Sequence, residues 1–207
     1  MILPTTRPRL LLLDFDDVLA DFSPRRRNQA LAQQLGLAEE AVATALARQD
    51  PRSLAGHGSQ RLLHTLQWLQ EQLQVPLDSA TWHQARMAAT TVRRDCRQLL
   101  LDIAPACPLA ILSNNPAALA TPIATALDLP GLDHTRVLTA GALGLHKPDP
   151  ACFTAALTQL GVDPAQTLFI DNLFTNVRGA RSAGLMADTA HHTQSLRRVL
   201  KRHHLLR

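Results

Sequence analysis

The chain has 207 residues, a formal net charge of +4 and an apolar fraction of 46%, enough for one sizeable core or for one core plus a small insert. No run approaches the roughly 18 apolar residues a membrane span needs, and Met1 to Arg9 lacks the apolar segment of a signal peptide, so a cytoplasmic protein without membrane contact is expected. Aromatic residues make up only 3%, too few for a base-stacking surface; the basic residues cluster weakly, at Arg25 to Arg27 and in the C-terminal tail, and nucleic acid is not the expected partner.

In chain order, the first element is Leu10 to Leu13, an apolar run that ends in Asp14, Asp16 and Asp17. A run that short and that apolar predicts a strand buried on both faces. Residues i and i+2 of an extended segment point to the same side, so Asp14 and Asp16 are expected to face one ligand, and paired carboxylates ask for a cation. From Ala20 to about residue 95 the pattern is helical, with no strand expected. Ser23-Pro24 reads as an N-cap followed by proline at the first helical position, with Gly36 as the C-terminal cap. Ala38 to Arg48 predicts a second helix, and Arg61 to Gln74 a third with Leu62, Leu63, Leu66, Leu69 and Leu73 as its apolar stripe. Pro76 and Asp78 introduce a fourth helix bearing Trp82. This block, residues 20–95, is read as a helical domain inserted into a core made of residues 1–19 and 96–207.

From Asp95 onward helices and strands alternate. Predicted strands are Leu109 to Leu112, Val137 to Thr139, Thr167 to Ile170 and Leu185 to Thr189; predicted helices are Cys96 to Ile103, Ala117 to Leu127, Pro150 to Leu160, Asn176 to Ala183 and a tail helix. The fold class expected is α/β, a doubly wound parallel sheet. Three strand ends present polar clusters: Asp14 with Asp16, Ser113 with Asn114, and Asp171 with Asn172. Lys147 is one of only two lysines among 21 basic residues and sits between glycine and prolines in Gly144 to Pro150. A hydroxyl, backbone amides, an ammonium and several carboxylates suit a phosphate ester held by donors and attacked by an oxygen nucleophile beside a cation. Cys96, Cys107 and Cys152 lack metal-ligand spacing and read as core residues of a reducing compartment. The histidines, including His191-His192 and His203-His204, read as surface.

These pieces, in this order, resemble the four motifs of the haloacid dehalogenase superfamily, in its phosphatase-like branch with a helical cap. The resemblance covers everything except the insert. It implies a Rossmann-like core and a magnesium-dependent hydrolase of a small phosphorylated metabolite. Asp14 stands in the place of the nucleophile and Asp16 in that of the general acid and base. Ser113, the amide of Asn114 and Lys147 match the phosphate-binding positions. Asp14, the carbonyl of Asp16, and Asp171 or Asn172 match the Mg²⁺ ligands. Dehalogenases of the superfamily lack the acid that Asp16 supplies, since a halide leaves without a proton. One departure matters: relatives commonly carry a second acid where Asn172 stands. An amide ligates without charge, which opens the alternative of a metal-impaired binding protein. A phosphomutase is a further alternative. The insert is the expected substrate-selecting cap, with His57, His64, Trp68, Trp82 and His83 as candidate contacts.

Overall fold

A computed structural model describes residues 7–49 and 59–206. The chain folds as two compact units, Met1–Asp21 with Val92–Arg207, and Phe22–Thr91. The larger unit is built on strands β1 (Leu10–Leu13), β4 (Leu109–Ser113), β5 (Val137–Thr139), β6 (Thr167–Asp171) and β7 (Met186–Thr189). They form one sheet in the order β5-β4-β1-β6-β7 with every pairing parallel. The central strand is the four-leucine run, with Leu11, Leu12 and Leu13 at 0% exposure.

Side chains alternate along a strand, so the two faces can be read off separately. Leu10 and Leu12 point to the face where Ala110, Leu112, Leu138 and Phe169 meet helices α8 (Pro150–Leu160) and α9 (Phe174–Ser182) through Phe153, Ala156, Leu157, Val177 and Ala180. Leu11, Leu13, Ile111 and Ile170 turn the other way and are equally buried. Helices α5 (Arg94–Ile103), α6 (Ala120–Leu127) and α10 (Thr193–Arg202) bury Leu99, Leu100, Ile103, Ile123, Leu127, Leu196 and Leu200. This is the doubly wound α/β fold expected from the alternation, with the carboxyl ends of β1, β4 and β6 side by side. A short helix α7 (Ala140–Leu143) follows β5.

The smaller unit is a four-helix cluster: α1 (Pro24–Leu35), α2 (Glu39–Ala47), α3 (Ser59–Leu73) and α4 (Ser79–Ala88). Ser23 caps α1 by accepting from the Arg26 N–H, and Gly36 ends it in the left-handed region. Leu31, Val42, Ala45, Leu66, Leu69, Leu77 and Ala85 form its core. Leu63, expected in the stripe of α3, is 56% exposed. At about 100° per residue it lies a quarter-turn off the line through Leu62, Leu66, Leu69 and Leu73.

The expectation of an uninterrupted helical insert from 20 to 95 is corrected. The chain passes between the two units in two short strands, β2 (Ala20–Phe22) and β3 (Thr90–Val92), which pair with each other. The unit boundaries therefore fall at 21/22 and 91/92. Both strands are three residues of mixed polarity and exposure, so neither gives the apolar run by which a short strand is read. Among the described residues no helix is long and apolar enough to cross a membrane.

Candidate active site

Asp14 directly follows β1, and its N–H donates to the carbonyl of Ile170 at 2.9 Å, so the last hydrogen bond of the ladder fixes its position. Beyond it the chain turns sharply, with Asp17 at φ 60° and its N–H on the carbonyl of Ala20. Arg93, which the sequence reading passed over, pins this turn: one guanidinium nitrogen donates to the carbonyls of Asp17 at 2.8 Å and His191 at 3.1 Å, while the others hold Asp21.

Lys147 is brought to Asp14 from the loop between α7 and α8. Its side chain is 1% exposed, and Nζ lies 2.7 Å from Asp14 Oδ1 and 2.8 Å from Asp171 Oδ2. An ammonium has three donors, so one remains for a ligand oxygen. Two buried carboxylates thus share one cation. Burial pushes the Asp14 carboxyl up; Lys147 pulls it down and Asp171 pushes it up again, leaving it at about 6. Burial alone would lower Lys147, but the attraction of Asp14 and Asp171 outweighs it and the ammonium is held above its ordinary value.

Asp171, the last residue of β6, is fully buried. Its Oδ1 accepts from the N–H of Leu173 at 2.8 Å, and its Oδ2 accepts from both Lys147 and Asn176 Nδ2, the latter at 3.0 Å. Both oxygens are engaged in orienting the site. Asn172 is only partly buried and follows directly.

Ser113 ends β4, with the Asn114–Asn115 pair after it. The side chain of Asn114 clamps the Lys147 backbone in both directions, accepting from its N–H at 2.9 Å and donating to its carbonyl at 3.0 Å. Asn115 donates through Nδ2 to Asp16 Oδ2 at 2.8 Å and to Ser113 Oγ at 2.7 Å. Every segment expected at the site is therefore tied to another by a side-chain bond. Asp14, Lys147 and Asp171 form one cluster, and Asp16, Asn115 and Ser113 another. Asn114 links the second cluster's loop to Lys147. Gly179 allows the last approach: a Cβ there would lie 2.0 Å from the carbonyl oxygen of Pro148, so only glycine lets α9 close on the lysine loop.

A divalent cation can be tested against this donor set. Among the described residues no three His, Cys, Asp or Glu side chains gather to hold a metal. The donors that the family resemblance assigns, the Asp14 carboxylate, the Asp16 carbonyl and the side chain of Asp171 or Asn172, are all oxygens of the hard kind that Mg²⁺ takes, with water completing the shell. Two acids sharing one ammonium leave a charge deficit that such a cation would meet. The set fits Mg²⁺ with one fixed charge fewer than a second acid at 172 would give.

Of the candidate cap contacts, His57 lies outside the described residues. Trp68 donates to the carbonyl of Ala45 at 2.8 Å and Trp82 packs against the core of the smaller unit, with the Arg27 guanidinium 4.9 Å from its ring centre. Both serve packing. His64 is exposed, and burial pulls the His83 ring below its ordinary value. The expectation of surface histidines fails at His203, which is 5% exposed with Nε2 2.8 Å from Asp188 Oδ2. Cys96, Cys107 and Cys152 are buried free thiols.

With this geometry in view, residues 8–184 match the family model of the haloacid dehalogenase-like hydrolases. The phosphoserine phosphatase of Thermus thermophilus is 45% identical over 60 residues, 28% of this chain and 24% of that protein, so the match spans about a quarter of the relative's length. Among solved structures, a family enzyme from Bacteroides thetaiotaomicron in complex with magnesium and inorganic phosphate aligns at a TM-score of 0.60 and 18% identity, over 88% of this chain and 93% of that one. A defluorinating L-2-haloacid dehalogenase aligns at 0.68 and 16% identity, over 94% and 95%. At such identities the likeness is one of fold.

Proposed function

We propose, from the premise that this chain belongs to the haloacid dehalogenase-like hydrolase family, that it is a magnesium-dependent phosphatase acting on a small phosphate monoester. The Asp14 carboxylate attacks phosphorus and the bond to the ester oxygen breaks, giving an aspartyl-phosphate. Asp16 gives its proton to the departing alkoxide, then takes one from the water that attacks the phosphoryl group, releasing phosphate and restoring Asp14. The third donor of Lys147, the hydroxyl of Ser113 and the amide of Asn114 stabilise the phosphoryl oxygens. Asp14, the Asp16 carbonyl and Asn172 would hold Mg²⁺, which when bound offsets the repulsion between an anionic nucleophile and an anionic ester.

The observation that carries this reading over dehalogenation is the Asp16 carboxylate, half-exposed and tied through Asn115 to the hydroxyl at the phosphate-binding position. A halide leaving group has no use for that acid. The test is hydrolysis of an aryl phosphate with Mg²⁺ by the wild type and by Asp14→Asn. Loss of at least about 10³-fold is expected for removal of a nucleophile; undiminished turnover rules the assignment out. Asn172 favours one second reading, a relative that binds phosphorylated ligands without turning them over. That reading gains if the wild type hydrolyses no phosphate ester while inorganic phosphate still raises its melting temperature.

A further inference from the structure

We infer that Asn115 is a positioning residue that holds Asp16 in line for proton transfer to the leaving group, a role that rests on the phosphatase reading. Asn115 is 9% exposed, and its Nδ2 makes two short bonds, to Asp16 Oδ2 at 2.8 Å and to Ser113 Oγ at 2.7 Å. An amide nitrogen carries two hydrogens, and Asp16 Oδ2 and Ser113 Oγ take both. The link joins residues 99 apart in the chain.

Asp16 needs such an anchor. It lies beyond the end of β1, in a turn whose next residue takes a left-handed conformation, and it is the most exposed of the three site carboxylates, Asp14, Asp16 and Asp171. Asn115 has the rigidity to serve. Its carbonyl accepts from the N–H of Gly141 at 3.2 Å. At Gly141 a Cβ would lie 2.6 Å from the Ala117 nitrogen and 2.9 Å from Pro116 Cα, so the segment just after Asn115 is packed directly on α7. The amide is therefore held at its backbone and spent at its tip. It sets the distance between the group that gives up the proton and the hydroxyl that grips the phosphoryl oxygens, a separation on which transfer rates depend steeply.

The consequence is selective. An alkyl ester leaves as a strongly basic alkoxide and needs the Asp16 proton as its bond to phosphorus breaks, whereas 2,4-dinitrophenolate is stable without one. The full chain with Mg²⁺ is assayed on ethyl phosphate and on 2,4-dinitrophenyl phosphate, as wild type, Asn115→Ala, the isosteric Asn115→Asp, Asp16→Asn and the Asp16→Asn/Asn115→Ala double variant. Positioning predicts that Asn115→Ala and Asn115→Asp lose about 10–100-fold in kcat/KM on ethyl phosphate and under about threefold in kcat/KM on the dinitrophenyl ester, a parameter that reports transfer to Asp14 and not the later attack by water; the loss stays below the 10²–10⁴ that a whole general acid supplies. It also predicts that the double variant is no slower on ethyl phosphate than Asp16→Asn alone. Equal losses on both esters in the isosteric variant, or additive losses in the double variant, overturn this role and leave the phosphatase reading standing. A wild type that hydrolyses neither ester overturns both.

Discussion

The core carries two clusters of opposite electrostatic design. At the carboxyl ends of β1 and β6, Asp14 and Asp171 share the single ammonium of Lys147, with all three side chains nearly or fully buried. On the edge strand β7, the single carboxylate of Asp188 meets His203 at 2.8 Å, Arg202 at 3.1 Å and Arg181 at 3.5 Å. Burial pushes both carboxyls up. At Asp14 the result stays at about 6, because Asp171 offsets part of what Lys147 does. At Asp188 the hydrogen bond from His203 and the charges of Arg202, His203 and Arg181 outweigh burial and the carboxyl is lowered. An acid over-supplied with cations is a staple that fastens α10 to the sheet. Two acids short of one are a seat that needs a further positive charge, and chemistry is expected at the second kind of site.

The contrast is tested most strongly by removing the one cation of the first cluster. Lys147→Met keeps much of the stem's volume but leaves two buried carboxylates without a counter-charge, and breaking a buried pair in this way costs about 3–5 kcal/mol. Urea unfolding at pH 7.5 should show that loss, and at pH 4 it should shrink as Asp14 is protonated. A variant as stable as the wild type at pH 7.5 would mean that Lys147 does not balance this site.

Asp14→Asn acts on the same cluster with the opposite sign. A carboxyl raised from 3.8 to about 6 on folding binds its proton more tightly in the native state, so between those values the folded chain holds more protons than the unfolded one. Stability is then lost as pH rises from about 4 to 6 and stays lost above it. The asparagine has no charge to bury. The variant should be inactive yet more stable than the wild type above pH 6, by up to about 3 kcal/mol at 1.36 kcal/mol per pH unit. The gap should close below pH 4, and Mg²⁺ should narrow it at pH 7.5 by stabilising only the wild type. Paired melting curves at pH 4 and 7.5, with and without Mg²⁺, measure this. A variant less stable than the wild type at pH 7.5 would show that Asp14 is not short of positive charge.

Much of the candidate active site is legible in the sequence, because each strand that feeds it is an apolar run that stops at a polar residue. Leu13 to Asp14, Leu112 to Ser113 and Ile170 to Asp171 each mark a strand end without any knowledge of the others, and β5 and α8 begin and end where the apolar Val137-Leu138 pair, Pro150 and Gly161 place them. The second cluster is not legible. Asp188 reads as one residue of the last strand and His203 as a surface residue; the docking of α10 through Leu196, Val199 and Leu200 buries the histidine against the acid. Asn115 is hidden for a similar reason. Ser-Asn-Asn-Pro has the composition of a turn, and nothing local says that one amide bonds a residue 99 positions earlier. The strands β2 and β3 leave no trace because Ala-Asp-Phe and Thr-Thr-Val are neither apolar runs nor long enough to show a period.

The smallest effect is expected where Asp188 loses one of its three partners. The Arg202 side chain is 39% exposed and its guanidinium bonds Asp188 at 3.1 Å. Asp188 retains His203 and Arg181 when Arg202 is replaced. Exposed pairs contribute about 0–1 kcal/mol, so Arg202→Gln should lower stability by no more than that at pH 7. A carboxyl lowered on folding contributes stability that is present above its unfolded value of 3.8 and is lost as pH falls through its native value. The difference between Arg202→Gln and the wild type should therefore vanish in strong acid, where Asp188 is protonated in both, and should shrink at pH 7 in high salt. Urea midpoints at pH 7, with and without added salt, and at pH 2 are the measurement. If Arg202→Gln instead costs as much as Lys147→Met, the surplus of cations at β7 is not a surplus, and the two clusters do not differ in the way their charges suggest.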